Sequence, residues 1–265
     1  MREAERRLTE ANRKSAVQEQ EEARRQLELA KAELEEILRQ MREEEVERVL
    51  AMLEGRFRKM LEMQLRVYDD TLRLNKIAAA KRSRQFTIQC GKLGQEESKI
   101  VLEVDKALAL LKEEGSSVAF PEAVMQMRVD MQNVARRLSE EQVGRLTQGV
   151  EEDVIAALEE IVAALQKAQQ DAEQRRNQPP PPGEPMSGDP EDQPLVDSIA
   201  ELKMIRALQM RVNKRTQSYA EMLENVDDPI GQADDQELVQ SLQDLAQRQR
   251  RIHEVTRDIV LGKNK

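Results

Sequence analysis

A chain of 265 residues with 35% charged and 2% aromatic side chains, no Trp and only ten Gly lacks the aromatic and β-branched payload, and the turns, that a β-rich or α/β domain of this length needs. The fold expected is all-α and elongated, a coiled coil or thin helical bundle whose core is layered from Leu, Ile, Val, Met and Ala. A formal net charge of −9 gives a general polyanion-binding role no electrostatic support, so nucleic acid is disfavoured as a partner.

From Arg2 to about Arg84 there is no Pro and a single Gly, Gly55, and apolar residues recur at helical spacing. One very long N-terminal helix is predicted, roughly 120 Å if unbroken at 1.5 Å per residue. Within it Leu27, Ala30, Leu34, Ile37 and Met41 alternate steps of three and four, the narrow seam of a coiled coil. The phase slips across "REEEVER". Beyond it Leu50, Phe57, Met60, Leu61, Leu65, Val67, Tyr68, Leu72 and Leu74 spread over a wider arc that suggests more than one neighbouring helix.

"SRQFTIQCGKLGQ" carries two glycines and breaks the period, which places the first reversal there. A second helix then runs from about Glu96 to Glu114 with Ile100, Val104, Leu108 and Leu111 in its seam and Gly115 as its stop. Pro121 falls in the first turn of a third helix, which presents Ala123, Met127, Met131, Val134 and Leu138 on one face. Ser139 and Gln142 have capping-box spacing before a fourth helix with Val154, Leu158, Ile161, Leu165 and Ala168.

"NQPPPPGEPMSGDPEDQP" holds seven of the nine prolines and reads as a disordered spacer, since Pro-rich polar sequence cannot pack a core. Its neighbours are acidic, which argues against a ligand for proline-binding modules. Leu195 to Asn225 reads as a fifth helix, "VDDPIGQADD" as a turn, and Asp234 with Glu237 as a capping box for a sixth helix ending near Leu261. The organisation is thus a protruding coiled-coil helix over 1–45, an antiparallel bundle over 46–176, the linker over 177–194 and a C-terminal helical hairpin over 195–262.

"MQLRV" at Met63, "MQMRV" at Met125 and "LQMRV" at Leu208 look like one repeated element. At 100° per residue, Gln64 and Gln209 fall at the centre of their apolar arcs, the second formed by Leu208, Val212, Ile205, Leu202 and Ile199, while Gln126 lies on a flank, so the middle copy is coincidental. The shared feature is Gln followed seven residues later by Thr inside an apolar heptad row: Gln64 and Thr71, Gln209 and Thr216, and, in the sixth helix, Gln249 and Thr256. One reading is a polar register layer in which Gln209 faces Gln249 across the hairpin and Gln64 joins them. The other is that each glutamine reaches the surface at the edge of a thin bundle.

Residues that could carry chemistry are few. His253 is the one histidine and is expected at a helix edge, and Cys90 is the one cysteine, expected to be packed. No phosphate loop, GxGxxG or GxSxG occurs, and the acidic runs lack EF-hand spacing. No catalytic, cofactor or metal site is expected, and the protein is not expected to be an enzyme. The basic clusters Arg73/Lys76/Lys81/Arg82/Arg84 and Arg248/Arg250/Arg251 read as helix faces or ends. Met41, Met60, Met127 and Met131 read as core filler or as lining for a partner helix. No apolar run is long enough to span a membrane.

"DQPLVDSIAELKMIRALQMRVNKRTQSY", beginning at Asp192, resembles uncharacterised helical, coiled-coil proteins of planctomycete-type bacteria, in which a Pro-rich linker precedes an ELKMIR-LQ-RVN-RT helix. The similarity covers Gln193 to about Tyr219; beyond that only the helical character is shared. It implies no activity and no site residue, but such proteins often look exported. The chain as written is expected in the cytoplasm, with the periplasm or cell envelope as the alternative if a signal peptide precedes it.

The function expected is structural or scaffolding, exercised through helix-on-helix contacts. The seam Leu27, Ala30, Leu34, Ile37 and Met41 is expected to bind another chain, most simply its own copy, giving a homo-oligomer. The alternatives are an adaptor or regulatory subunit that docks a different protein through the C-terminal hairpin, and a nucleic-acid-organising coiled coil if the basic clusters share one face.

Overall fold

A computed structural model describes residues 5–6, 13–177, 198–221 and 236–261. Among them every regular element is helical: α1 (Arg13–Asn75), a 3-10 turn (Ala79–Lys81), α2 (Arg84–Glu114), α3 (Ala119–Ser139), α4 (Arg145–Asn177), α5 (Ser198–Ala220) and α6 (Gln236–Val260). The all-α expectation, with a very long first helix of 63 residues and a final helix pair, is what the structure shows. The Pro-rich linker and the Asp234 capping box lie outside the described residues. Two compact units divide the chain, one containing α1 as far as Arg48 and the other running from Val49 through α6.

In the second unit, α1 buries Leu50, Leu53, Phe57, Met60, Gln64, Val67, Thr71 and Leu74. Their steps of three and four form a strict heptad stripe, the pattern that keeps one face against neighbouring helices. This corrects the broader arc expected from sequence, since Leu61 and Leu72 are half-buried and Leu65 is exposed. Phe57 meets Phe120 of α3 edge to face, with ring centroids 6.4 Å apart. Arg56 reaches Glu103 of α2, and Gln166 of α4 donates to Glu54, so α1 contacts every other helix of the bundle.

The first reversal is earlier than expected. Helix α1 stops at Asn75 and α2 begins at Arg84, so Gly91 and Gly94 are helical. Gly94 is there for proximity, not for a turn: a Cβ on it would lie 2.9 Å from the Ala135 carbonyl and 3.2 Å from the Ser139 nitrogen of α3. Among the described residues α2 and α3 make the most extensive helix–helix contact, and a side chain at 94 would hold the two backbones apart.

Gly115 ends α2 in the left-handed region, φ 74°, and its N–H bonds the Leu111 carbonyl, the closure that satisfies a last-turn acceptor. The expected capping box at Ser139 is absent. Ser139 is the last residue of α3, its Oγ donates 2.8 Å to the Ala135 carbonyl, and the chain turns through Glu141 at φ 63° while the Gln142 N–H bonds the Arg137 carbonyl. The seam residues read for α2, α3 and α4, from Ile100 to Ala168, are all buried.

Candidate functional site

Three features stand out from the apolar packing: an exposed seam, a buried acid pair, and a charged clasp.

The seam lies in the first unit. Leu27, Leu34, Ile37 and Met41 are between 52% and 63% exposed, and Ala30 is exposed with them. At 100° per residue these five and Leu38, also exposed, fall within an arc of about 100°, a width that suits burial against another helix. Leu38 is a seam residue that the three-and-four spacing had missed. Apart from Leu29, which is exposed on another face, the remaining surface is largely polar and partly self-paired: Lys31 meets Glu35, and Arg39 meets Glu36 at 2.6 Å. Such exposed i,i+3 and i,i+4 pairs stiffen the helix without covering the seam.

The acid pair is in the second unit. Glu97 of α2 and Glu151 of α4 are fully buried, as are Gln64 and Thr71 of α1. Gln64 lies beside Glu97, yet both amide atoms of Gln64 and both carboxylate oxygens of Glu97 lack a hydrogen-bond partner. Thr71 Oγ1 is 3.0 Å from the Val67 carbonyl and 2.8 Å from Glu151 Oε1. A hydroxyl has one proton, so if Thr71 gives it to Val67, the contact with Glu151 requires a proton on the carboxyl. Burial, followed by repulsion from Glu151, pushes Glu97 up to about 8, with Gln64 opposing. Burial likewise pushes Glu151 up to about 7, eased by Thr71 and reinforced by Glu152. Tyr68, donating 2.7 Å to Glu152, is pushed up to about 12 by burial and that bond.

The clasp fastens α5 and α6 to the bundle. Arg215 of α5 grips Asp130 of α3 with two bonds and donates to Asp153 of α4. Arg248 of α6 adds a second guanidinium to Asp130, and Arg251 donates 2.9 Å to Glu122. Glu201 of α5 accepts from Ser117 Oγ at 2.6 Å and from the Val118 N–H at 2.8 Å. It thereby places a carboxylate at the N-terminus of α3, where the helix dipole favours negative charge. Burial alone would raise the Asp130 carboxyl, but attraction from Arg215 and Arg248 outweighs it and holds it well below the usual carboxylate range.

Of the expected polar layer, Gln209 and Gln249 face each other across α5 and α6 with two reciprocal amide bonds of 2.7 Å, and Gln209 also donates to Asn213. Gln64 bonds neither of them and stands instead beside Glu97. Thr71, Thr216 and Thr256 each bond the carbonyl four residues back, Val67, Val212 and Ile252. Thr216 and Thr256 therefore satisfy themselves within their own helices, whereas Thr71 also contacts Glu151 of α4. The row read around Gln209 is displaced too: Leu202 and Ile199 are exposed, and α5 buries Glu201, Met204, Leu208, Val212, Arg215 and Tyr219.

Cys90 is buried, and its thiol is raised by burial and then by Glu141, the opposite of what a nucleophile needs. His253 is exposed on α6. Among the described residues no group of three or more His, Cys, Asp or Glu is placed to hold a metal, and no helix is long and apolar enough to cross a membrane. The basic clusters are partly consumed inside the molecule: Arg248 and Arg251 enter the clasp, Arg73 pairs with Asp70, and Arg82 lies 4.7 Å over the Phe86 ring. Met60, Met127 and Met131 are core filler, whereas Met41 is exposed.

No protein-family model, curated protein or solved structure matches this chain.

Glu97, Glu151, Asp130 and Arg215 were missed by sequence reading, although a signal existed. Glu97 falls in the row Phe86, Cys90, Leu93, Glu97, Ile100, Val104, all buried, and Glu151 stands seven residues before Leu158. A charge at a seam position is as informative as a glutamine there.

Proposed function

We propose that this protein is a non-enzymatic structural or scaffolding element that acts through helix-on-helix contacts, using the α1 seam to join a second copy of itself. The observation that carries the reading is the exposed arc of Leu27, Ala30, Leu34, Ile37, Leu38 and Met41. An apolar stripe of this length on a helix is costly in water and is covered when two helices pack. The second unit supports the reading from the other side. Its charged groups are spent on its own stability, through the Arg215–Asp130–Asp153 clasp and the Glu201 cap, and its thiol is buried.

Adaptor function through the C-terminal helices is the second reading, supported by Ile199, Leu202 and Met210, which α5 leaves exposed. Light scattering on the full chain and on Leu34→Asp/Ile37→Asp distinguishes them. Loss of a concentration-dependent complex in the variant supports the seam; a monomeric parent chain favours the adaptor.

A further inference from the structure

Between α4 and α5 the second unit carries an open apolar groove of about 500 Å³, with Ala157, Ala164 and Ala168 on one wall and Ala200, Met204 and Ala207 on the other. Its rim is basic. Lys203 and Arg206 are exposed and carry no ion pair among the described residues, and Lys167 stands 4.0 Å from Asp171 on the opposite rim. The exposed side chains of Ile199, Leu202 and Met210 extend the apolar surface along α5.

The seam has the opposite character. From Leu27 to Met41 it carries four glutamates against two basic residues, Lys31 and Arg39. Two such helices side by side would bring like charge together, whereas the groove offers apolar walls bordered by cations. The lengths agree as well. The α4 wall from Ala157 to Asp171 and the seam from Leu27 to Met41 each cover about 21 Å at 1.5 Å per residue.

Resting on the reading that the seam self-associates, we infer that its counterpart is the α4–α5 groove of a second copy, not a second seam. The contact joins two different surfaces, so each copy offers one of each and association proceeds head to tail or by reciprocal exchange. Acid against base makes the contact salt-sensitive.

The test uses two full-length variants, Leu34→Asp/Ile37→Asp in the seam and Lys203→Glu/Arg206→Glu on the groove rim, studied by sedimentation with helicity checked by circular dichroism. All four residues are exposed, so neither variant disturbs a core. Each variant alone is expected to associate at least about tenfold more weakly than the parent chain, and an equimolar mixture to form a one-to-one complex, because each supplies the surface the other lacks. A rim variant that associates like the parent while the seam variant does not overturns the groove and leaves seam self-association standing. A mixture that stays monomeric also overturns it. A parent chain that does not associate removes both.

Discussion

Arg215 and Asp130 meet as a buried two-pronged pair, Nη1 to Oδ1 at 2.8 Å and Nη2 to Oδ2 at 2.7 Å, with Asp153 accepting from Nε–H. This pair ties α5 to α3 and α4, with Lys214 also bonded to Asp153 and Arg248 to Asp130. Breaking a buried pair costs about 3–5 kcal/mol when the charge left behind is stranded; with Arg248 still on Asp130 and Lys214 on Asp153, the loss here falls at the lower end, about 3 kcal/mol. Arg215→Met is therefore expected to lower unfolding stability in urea by about that much. Arg215→Lys should recover only part of the loss, since an ammonium cannot grip a carboxylate with two parallel bonds.

The buried acids set a pH dependence of the opposite sign to an ordinary salt bridge. Glu97 and Glu151 have folded values raised to about 8 and about 7, so the stability they allow is complete below their unfolded values near 4.3 and is lost as pH rises toward 7 and 8. Asp130 is depressed, so its contribution is present above its unfolded value near 3.9 and is lost in acid. Urea midpoints should therefore peak in mildly acidic solution and fall toward pH 8.5. Glu97→Gln should flatten the alkaline fall and gain on the order of a few kcal/mol at pH 8.5. An unchanged pH profile in Glu97→Gln would show that this carboxyl does not govern it.

Two glycines three residues apart should respond oppositely to the same substitution. Gly91→Ala meets nothing within 4 Å and is expected to stabilise by about 0.5–1 kcal/mol, the helix-interior difference between Gly and Ala. Gly94→Ala drives a methyl toward the Ala135 carbonyl at 2.9 Å and is expected to destabilise by about 1–3 kcal/mol through displacement of α3. Thermal melts of the two variants provide the comparison.

In the Gln209–Gln249 pair Gln209 is half-buried and Gln249 exposed, so its energy is small and its use is in register. Gln249→Leu alone should cost about 0.5–1 kcal/mol. The double variant Gln209→Leu/Gln249→Leu should instead hold or gain stability while α5 and α6 pair in more than one register, seen as doubled amide resonances. A double variant with a single set of resonances would remove the register role.

Periodicity made most of the helices legible, because apolar residues three and four apart have no other use in a chain so poor in aromatics. It failed where one residue type serves two ends. Gly94 reads as a turn signal in a linear sequence, and only the approach of α3 shows that it is a contact residue. Leu202 reads as core by its heptad row, but the buried stripe of α5 is set by Glu201 and Arg215, whose partners Ser117, Asp130 and Asp153 are far away in sequence. Long-range charge pairing leaves no local pattern. The seam is different: Leu27 to Met41 could be found because nothing in the chain's own pattern interrupts it, and its exposure could be known only from the structure.

Sedimentation equilibrium of the full chain across the micromolar range tests the central claim most directly. Self-association through the seam predicts a mass that rises with concentration above the 30.4 kDa of one chain, and that returns to the single-chain value in Leu34→Asp/Ile37→Asp. A parent chain that stays at one-chain mass throughout would contradict it.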